Sequence, residues 1–125
     1  MALLAANAAN VQDGAIFTVA AFTGLRLGEL LALRWGDIDW SLKVIRVRRS
    51  FTRGVEGPPK SGLIRSVPLV DQAVTALERL RGREQWTADD ELVFVNAVGN
   101  FLERSTLRRR YIAALGRGAI STALP

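Results

Sequence analysis

Apolar positions fall into blocks whose period changes along the chain. Ile16, Phe17, Val19 and Ala20 follow Asp13 at helical spacing, so a helix capped by Asp13 is expected to run until Thr23-Gly24. Leu27, Leu30 and Leu31 then predict a second helix from about Arg26 to Arg34, anchored from beneath by leucine. After the connector Trp35 to Trp40, the run Lys43 to Ser50 mixes Val, Ile and Arg in a β-prone pattern. Arg53 to Gly62 contains three glycines and Pro58-Pro59, which reads as a long loop, and Leu63 to Leu69 reads as the returning strand. The two strands predict a basic hairpin with a long tip. Asp71 is placed to cap a helix whose core face is Ala73, Val74, Leu77 and Leu80, with Gly82 ending it. Leu92 to Val95 is a short apolar strand or core peg before a Gly99-Asn100 turn. Ser105 is expected to cap a last helix through about Leu115, stopped by Gly116-Arg117-Gly118. The pattern predicts an α+β fold, mostly helical with a small antiparallel hairpin or sheet, in one domain over residues 1–125.

Composition narrows the chemistry. A chain of 125 residues that is 49% hydrophobic suffices for one core. Neither cysteine nor histidine occurs, which removes disulfides, the usual zinc ligand sets and the commonest general base. No metal and no cofactor is expected. No apolar run approaches the roughly 20 residues needed to cross a bilayer, so a soluble, intracellular protein is expected, without membrane contact.

Charge adds a direction. Fifteen of the seventeen basic residues are arginine, the side chain suited to bidentate phosphate contacts. Between Lys43 and Arg65 lie seven of the seventeen, namely Lys43, Arg46, Arg48, Arg49, Arg53, Lys60 and Arg65, against one acid, Glu56. The rest of the chain is nearly balanced, so the overall +5 reads as one patch facing a polyanion. Arg46, Arg48, Arg49, Arg53 and Arg65 are the candidate polyanion-binding residues.

The sharpest signal is Thr23-Gly24-Leu25-Arg26 followed by Glu29, which sets one arginine at a glycine-marked turn opening a leucine-rich helix. At a spacing of three, Glu29 shares a helix face with Arg26 and is expected to fix its guanidinium. Alone, such a pair is more often an ordinary surface ion pair. With Leu33-Arg34-Trp35, Asp37-Ile38-Asp39, the hairpin carrying Lys60, and Arg65-Ser66-Val67-Pro68-Leu69, the constellation resembles the catalytic domain of tyrosine recombinases, the phage integrases. The resemblance extends from about residue 13 to 118.

In that family a tyrosine attacks a DNA phosphate, forming a 3′-phosphotyrosyl link without metal, and two arginines stabilise the transition state. The resemblance implies that Arg26 is the first of these, that Glu29 supports it, and that Lys60 donates a proton to the leaving 5′-oxygen. It also implies double-stranded DNA as partner, roles in recombination or integration, and residence in the cytoplasm of a bacterium or phage host, on the nucleoid when DNA is bound.

The family's pattern continues with a His-x-x-Arg box, a further His or Trp, and the nucleophilic Tyr, none of which is present here. The expectation is therefore a partial catalytic domain, without the amino-terminal core-binding domain and unable to cleave DNA alone. It should carry an apolar patch where the rest would pack and hence self-associate. A non-catalytic DNA-binding or regulatory module, and a stable remnant without function, are the other readings.

Several residues invite roles that their surroundings argue against. Tyr111, the one tyrosine, lies inside the arginine-rich helix where the family has a packing aromatic. Gly57-Pro58-Pro59-Lys60-Ser61 lacks phosphate-loop spacing, and its two prolines remove backbone donors, so no nucleotide is expected there. Asp37 and Asp39 read as residues that cap and orient the chain, and Trp35, Trp40 and Trp86 as packing. Arg108 to Arg110 read as a solvated or phosphate-facing helix side, and Asp89 to Glu91 as a solvated loop.

Overall fold

The computed structural model describes residues 11–59 and 62–118, with side chains described as far as residue 113. Helix α1 spans Val11–Thr23 and buries every residue from Asp13 to Ala20. Such continuous burial requires partners on more than one side. Helix α3 (Asp71–Arg81) packs on it through Ala73, Leu77 and Leu80, and α2 (Leu27–Leu31) and α4 (Arg104–Gly118) close other sides. Asp13 is not the expected cap. It lies inside the first helical turn, fully buried, and accepts a hydrogen bond from Arg110 Nη1 at 3.1 Å. Arg110 is thereby a structural partner rather than a solvated residue.

The expected second helix is shorter than the leucine pattern suggested. After α2 the chain tightens into a 3₁₀ turn at Trp35–Asp37, because the backbone there turns to a different partner. Trp35 and Gly36 N–H donate to the Glu91 and Asp89 carbonyls, Val93 N–H donates to the Leu33 carbonyl, and Arg34 forms an isolated bridge with Leu92. Leu92 to Val95 is consequently a core peg and not a sheet strand. Val93 and Phe94 are fully buried, each worth about 1.5–3 kcal/mol of apolar burial, which compensates for the missing ladder.

The basic hairpin is present. Strands β1 (Ile38–Asp39), β2 (Val44–Val47) and β5 (Arg65–Pro68) form an antiparallel sheet in the order β1-β2-β5, with Ile45 opposite Val67 and Arg46 opposite Ser66. Ile45 and Val47 point into the core while Val44 and Arg46 are partly exposed, as a period of two requires. The long tip is itself folded. Strand β3 (Ser50–Thr52) pairs with β4 (Val55–Gly57) around Arg53-Gly54, both at positive φ (55° and 77°), the signature of a two-residue hairpin turn. Lys60 lies outside the described residues, as does everything before residue 11 and after residue 118.

Helix α3 keeps its expected core face, but neither later helix keeps its expected cap. Val70, not Asp71, is the N-cap of α3, and Asp71 instead pairs with Lys43 Nζ at 3.2 Å. Helix α4 begins at Arg104, one residue before Ser105, and runs through Gly118 rather than stopping at Gly116. Tyr111 meets Phe17 edge to face with centroids 5.2 Å apart, the packing role expected of it.

Candidate DNA-phosphate site

Two glycines shape the segment that carries Arg26. Gly24 adopts φ +67° after Thr23, whose Oγ1 donates to the Val19 carbonyl and accepts from Leu25 N–H, so α1 ends and α2 begins within three residues. Gly28 then lets α2 lie directly against β3. A Cβ there would stand 2.5 Å from Ser50 Oγ and 2.9 Å from the Phe51 carbonyl oxygen. Arg26, at the N-cap between them, is exposed, and its guanidinium has no ion-pair or hydrogen-bond partner among the described residues.

Glu29 does not hold that guanidinium. Its buried carboxylate accepts the Arg26 backbone N–H at 3.0 Å and takes both Arg65 nitrogens bidentately, at 2.8 and 2.9 Å. Hydrogen bonding from Arg65 holds the Glu29 carboxyl below its ordinary range, against the opposing effect of burial, and the Arg65 guanidinium is raised reciprocally. Glu29 therefore fixes where the Arg26 backbone sits and ties α2 to β5, leaving the Arg26 side chain free. Arg65, a candidate DNA contact, is committed to that tie.

The same holds along the hairpin. Asp37 is buried and accepts Arg34 N–H at 3.0 Å, two bonds from Arg49 Nη2 at 3.0 and 3.1 Å, and an ion pair from Arg48 Nε at 3.2 Å. Asp39 accepts Leu42 N–H at 2.9 Å and pairs with Arg46 at 3.3 Å. The Leu42 bond is the main reason its carboxyl titrates below the ordinary range. Both aspartates thus cap and orient the chain, as expected. Of the seven basic residues between Lys43 and Arg65, five meet a carboxylate, only Arg53 stands exposed at the turn without one among the described residues, and Lys60 is not described. Counting charge in one window hid this, because Glu29, Asp37, Asp39 and Asp71 come from outside it.

Arg26 faces two concavities. One, of about 620 Å³, is apolar and lies between α1, α2 and α4, lined among others by Ile16, Phe17, Leu25, Leu107 and Tyr111. The other, of about 380 Å³, has a mixed lining, in which Arg26 joins Ser50, Thr52 and Arg104 with the apolar Leu27, Val55 and Pro58. Ser50 Oγ and Thr52 Oγ1 are 3.3 Å apart. An arginine fork over paired hydroxyls is suited to phosphate oxygens.

Two residues escaped the sequence reading. Arg104 lines the concavity of about 380 Å³, and the only hint was its place at a helix start, outside the counted basic window. Arg83 is half-buried and stacks 5.5 Å from the Trp35 ring. It donates to the carbonyls of Gln85, Trp86, Leu92 and Val93, pinning the loop that presents the core peg, and desolvation lowers its pKa. No local pattern announces an arginine satisfied by carbonyls. Among the described residues no helix is long and apolar enough to cross a membrane, and no group of His, Cys, Asp and Glu is placed to hold a metal.

The arrangement has parallels in known proteins. Residues 1–123 match the model of the phage integrase family. A tyrosine recombinase XerC-like protein of Caldanaerobacter subterraneus subsp. tengcongensis is 31% identical over 131 residues, covering 85% of this chain and 34% of that protein. The prophage integrase IntR of Escherichia coli is 41% identical over 69 residues, 54% of this chain and 17% of that one. The crystal structure of the XerA recombinase superposes with a TM-score of 0.72 at 27% identity over 97% of this chain and 41% of that one. The Tn1549 transposon integrase, in complex with transposon right-end DNA, shares the fold with a TM-score of 0.70 at 21% identity. The chain spans about a third of the length of the first of these relatives and about two fifths of the XerA chain. Its α+β fold, its motifs and the match over nearly all its residues agree: the chain belongs to the phage integrase family, the tyrosine recombinases.

Proposed function

We propose that these residues form a part of a tyrosine recombinase catalytic domain that binds duplex DNA and contributes to its recombination or integration, with Arg26 as a phosphate-stabilising residue. The observation that carries this reading is the contrast at Arg26. Its backbone is fixed by Glu29 and Gly28 while its guanidinium, without an ion-pair partner among the described residues, lines a concavity that also holds Ser50, Thr52 and Arg104, the arrangement of a preorganised charge awaiting a phosphate. Glu29 acts as a positioning residue. Lys60, on the chain just beyond β4, is the proposed proton donor to the leaving oxygen. The 125 residues form one unit of such a domain, acting in the cytoplasm.

These residues do not cleave alone in this reading, since the sequence holds no histidine and Tyr111 is seated against Phe17. That seat is also what favours a second reading, a non-catalytic DNA-binding module. The apolar concavity beside Arg26 supports self-association, which sizing by light scattering across concentration would detect. The central test is binding of a labelled duplex by fluorescence anisotropy across salt. Binding with a negative salt slope, reduced by Arg26→Gln, is the expected result, and no binding at low salt would sink the proposal. A nicked suicide duplex should trap no covalent adduct, and an adduct lost on Tyr111→Phe would overturn the non-cleaving assignment.

A further inference from the structure

The concavity of about 380 Å³ holds a second arginine with the same standing as Arg26. Arg104, the first residue of α4, is exposed, and among the described residues its guanidinium meets no carboxylate. It comes from the far end of the sequence, yet the stacking of Phe51 on Phe101, with centroids 3.8 Å apart and planes within 1°, fixes the start of α4 against β3. Arg104, three residues after Phe101, lines the same concavity as Arg26. Gly28, Ser50 and Thr52 line it too, together with Leu27, Val55 and Pro58.

We infer that Arg104 and Arg26 together hold one phosphodiester of the DNA backbone, with Arg104 as a phosphate-positioning residue. The inference rests on the DNA-binding reading above and adds a residue to it. Two guanidiniums that meet no carboxylate among the described residues line one space of about 380 Å³, so an anion bound there supplies acceptors to both forks. A single phosphate fits that volume, and Ser50 and Thr52, whose hydroxyls share one hydrogen bond, keep one hydroxyl hydrogen to donate to it. The other exposed arginine of α4 with a described partner, Arg109, donates to Thr106 of its own helix and does not line the concavity.

Anisotropy titrations of a short labelled duplex against the 125-residue chain test this, with Arg104→Gln, Arg26→Gln, their double variant, and Arg109→Gln as a charge-matched control. Arg104→Gln should weaken binding about tenfold, and because Arg26 still meets the shared phosphate, the log K against log salt slope should fall in magnitude by less than the ~0.9 of a whole phosphate contact, which the double variant should lose. The double variant should lose less than the product of the two single effects, because both forks address one phosphate. Arg104→Lys should recover part of the loss, since it restores charge without the fork. Thermal melts should be unchanged for Arg104→Gln. An Arg104→Gln effect no larger than that of Arg109→Gln would overturn the role of Arg104, and fully multiplicative effects would overturn the shared phosphate. If the unaltered chain bound no DNA at low salt, the underlying reading would fail instead, which separates the two.

Discussion

Along the hairpin, Arg46, Arg48, Arg49 and Arg65 each end on a carboxylate of the same chain, whereas at the starts of α2 and α4 the guanidiniums of Arg26 and Arg104 meet none among the described residues. The residue type is the same and the work differs. A guanidinium closed on a buried carboxylate supports the fold and has few donors left to offer, while one held by its backbone alone keeps its whole fork for a ligand. The difference teaches that a basic patch on a sequence marks where arginines are, and only the acids folded against them mark which are available.

The strongest way to break the comparison is to open the tightest pair. Glu29→Gln removes the charge that Arg65 faces and weakens the acceptor for Arg26 N–H. It should destabilise the chain by about 3 kcal/mol, the low end for breaking a buried pair because Arg65 keeps 36% of its side chain exposed. Urea denaturation measures it. The same pair sets an acid limb. Glu29 has a folded-state pKa below its ordinary 4.5, so its contribution is fully present above the unfolded value and is lost as pH falls through the lowered one. Stability should fall as pH drops below 4.5, and Glu29→Gln should flatten part of that limb.

Gly28→Ala ranks next. Its Cβ would stand 2.5 Å from Ser50 Oγ and 2.9 Å from the backbone oxygen of Phe51, and backbone cannot swing aside, so a cost of roughly 1–3 kcal/mol follows. The shift of α2 away from β3 would also move Arg26, and DNA binding should weaken along with stability. Equal melting temperatures for Gly28→Ala and the unaltered chain would show that α2 does not depend on this close approach.

Much of this was legible before any coordinates. The period of Ala73, Val74, Leu77 and Leu80 located α3, the alternation around Ile45 and Val47 located the hairpin, and Thr23-Gly24-Leu25-Arg26 located the free arginine. What stayed hidden depended on partners distant in sequence. Asp13 looked like a cap because its partner, Arg110, lies 97 residues away. Glu29 looked like the mate of Arg26 because helical spacing puts them on one face, but β5 delivers Arg65 to the same carboxylate. The long tip looked irregular because Arg53 gives no warning that it will take positive φ in a tight turn. Arg104 was overlooked because it joins the concavity only through the Phe51–Phe101 stack. Local pattern fixes local structure, and long-range pairing decides what each charge is for.

The comparison is sharpened by a crossed pair of variants. Arg26→Gln should leave stability within about 0.5 kcal/mol, since it removes no contact, yet weaken duplex binding roughly tenfold by loss of one phosphate contact. Arg49→Gln should do the reverse. It strips two hydrogen bonds from buried Asp37, costing about 1–2 kcal/mol in urea, while changing DNA affinity less than Arg26→Gln does. If both variants lost binding equally and stability not at all, the division between structural and available arginines would collapse.

The smallest effect belongs to Arg46, and it is the most discriminating because Arg46 stands between the two groups. It pairs with Asp39 at 3.3 Å and Ser66 Oγ at 3.2 Å, but its side chain is 36% exposed and Asp39 is itself satisfied by Leu42 N–H. Such a pair is screened by water and contributes about 0–1 kcal/mol, so Arg46→Gln should barely move the urea midpoint. Its pairing is also weak enough to be exchanged for a phosphate, which Arg49 and Arg65 cannot do without abandoning buried acids. DNA affinity should therefore fall for Arg46→Gln by less than for Arg26→Gln and by more than for Arg49→Gln. An ordering that instead followed exposure alone, with Arg46→Gln and Arg65→Gln weakening binding equally because both side chains are 36% exposed, would mean that internal pairing does not set availability and that accessible surface does.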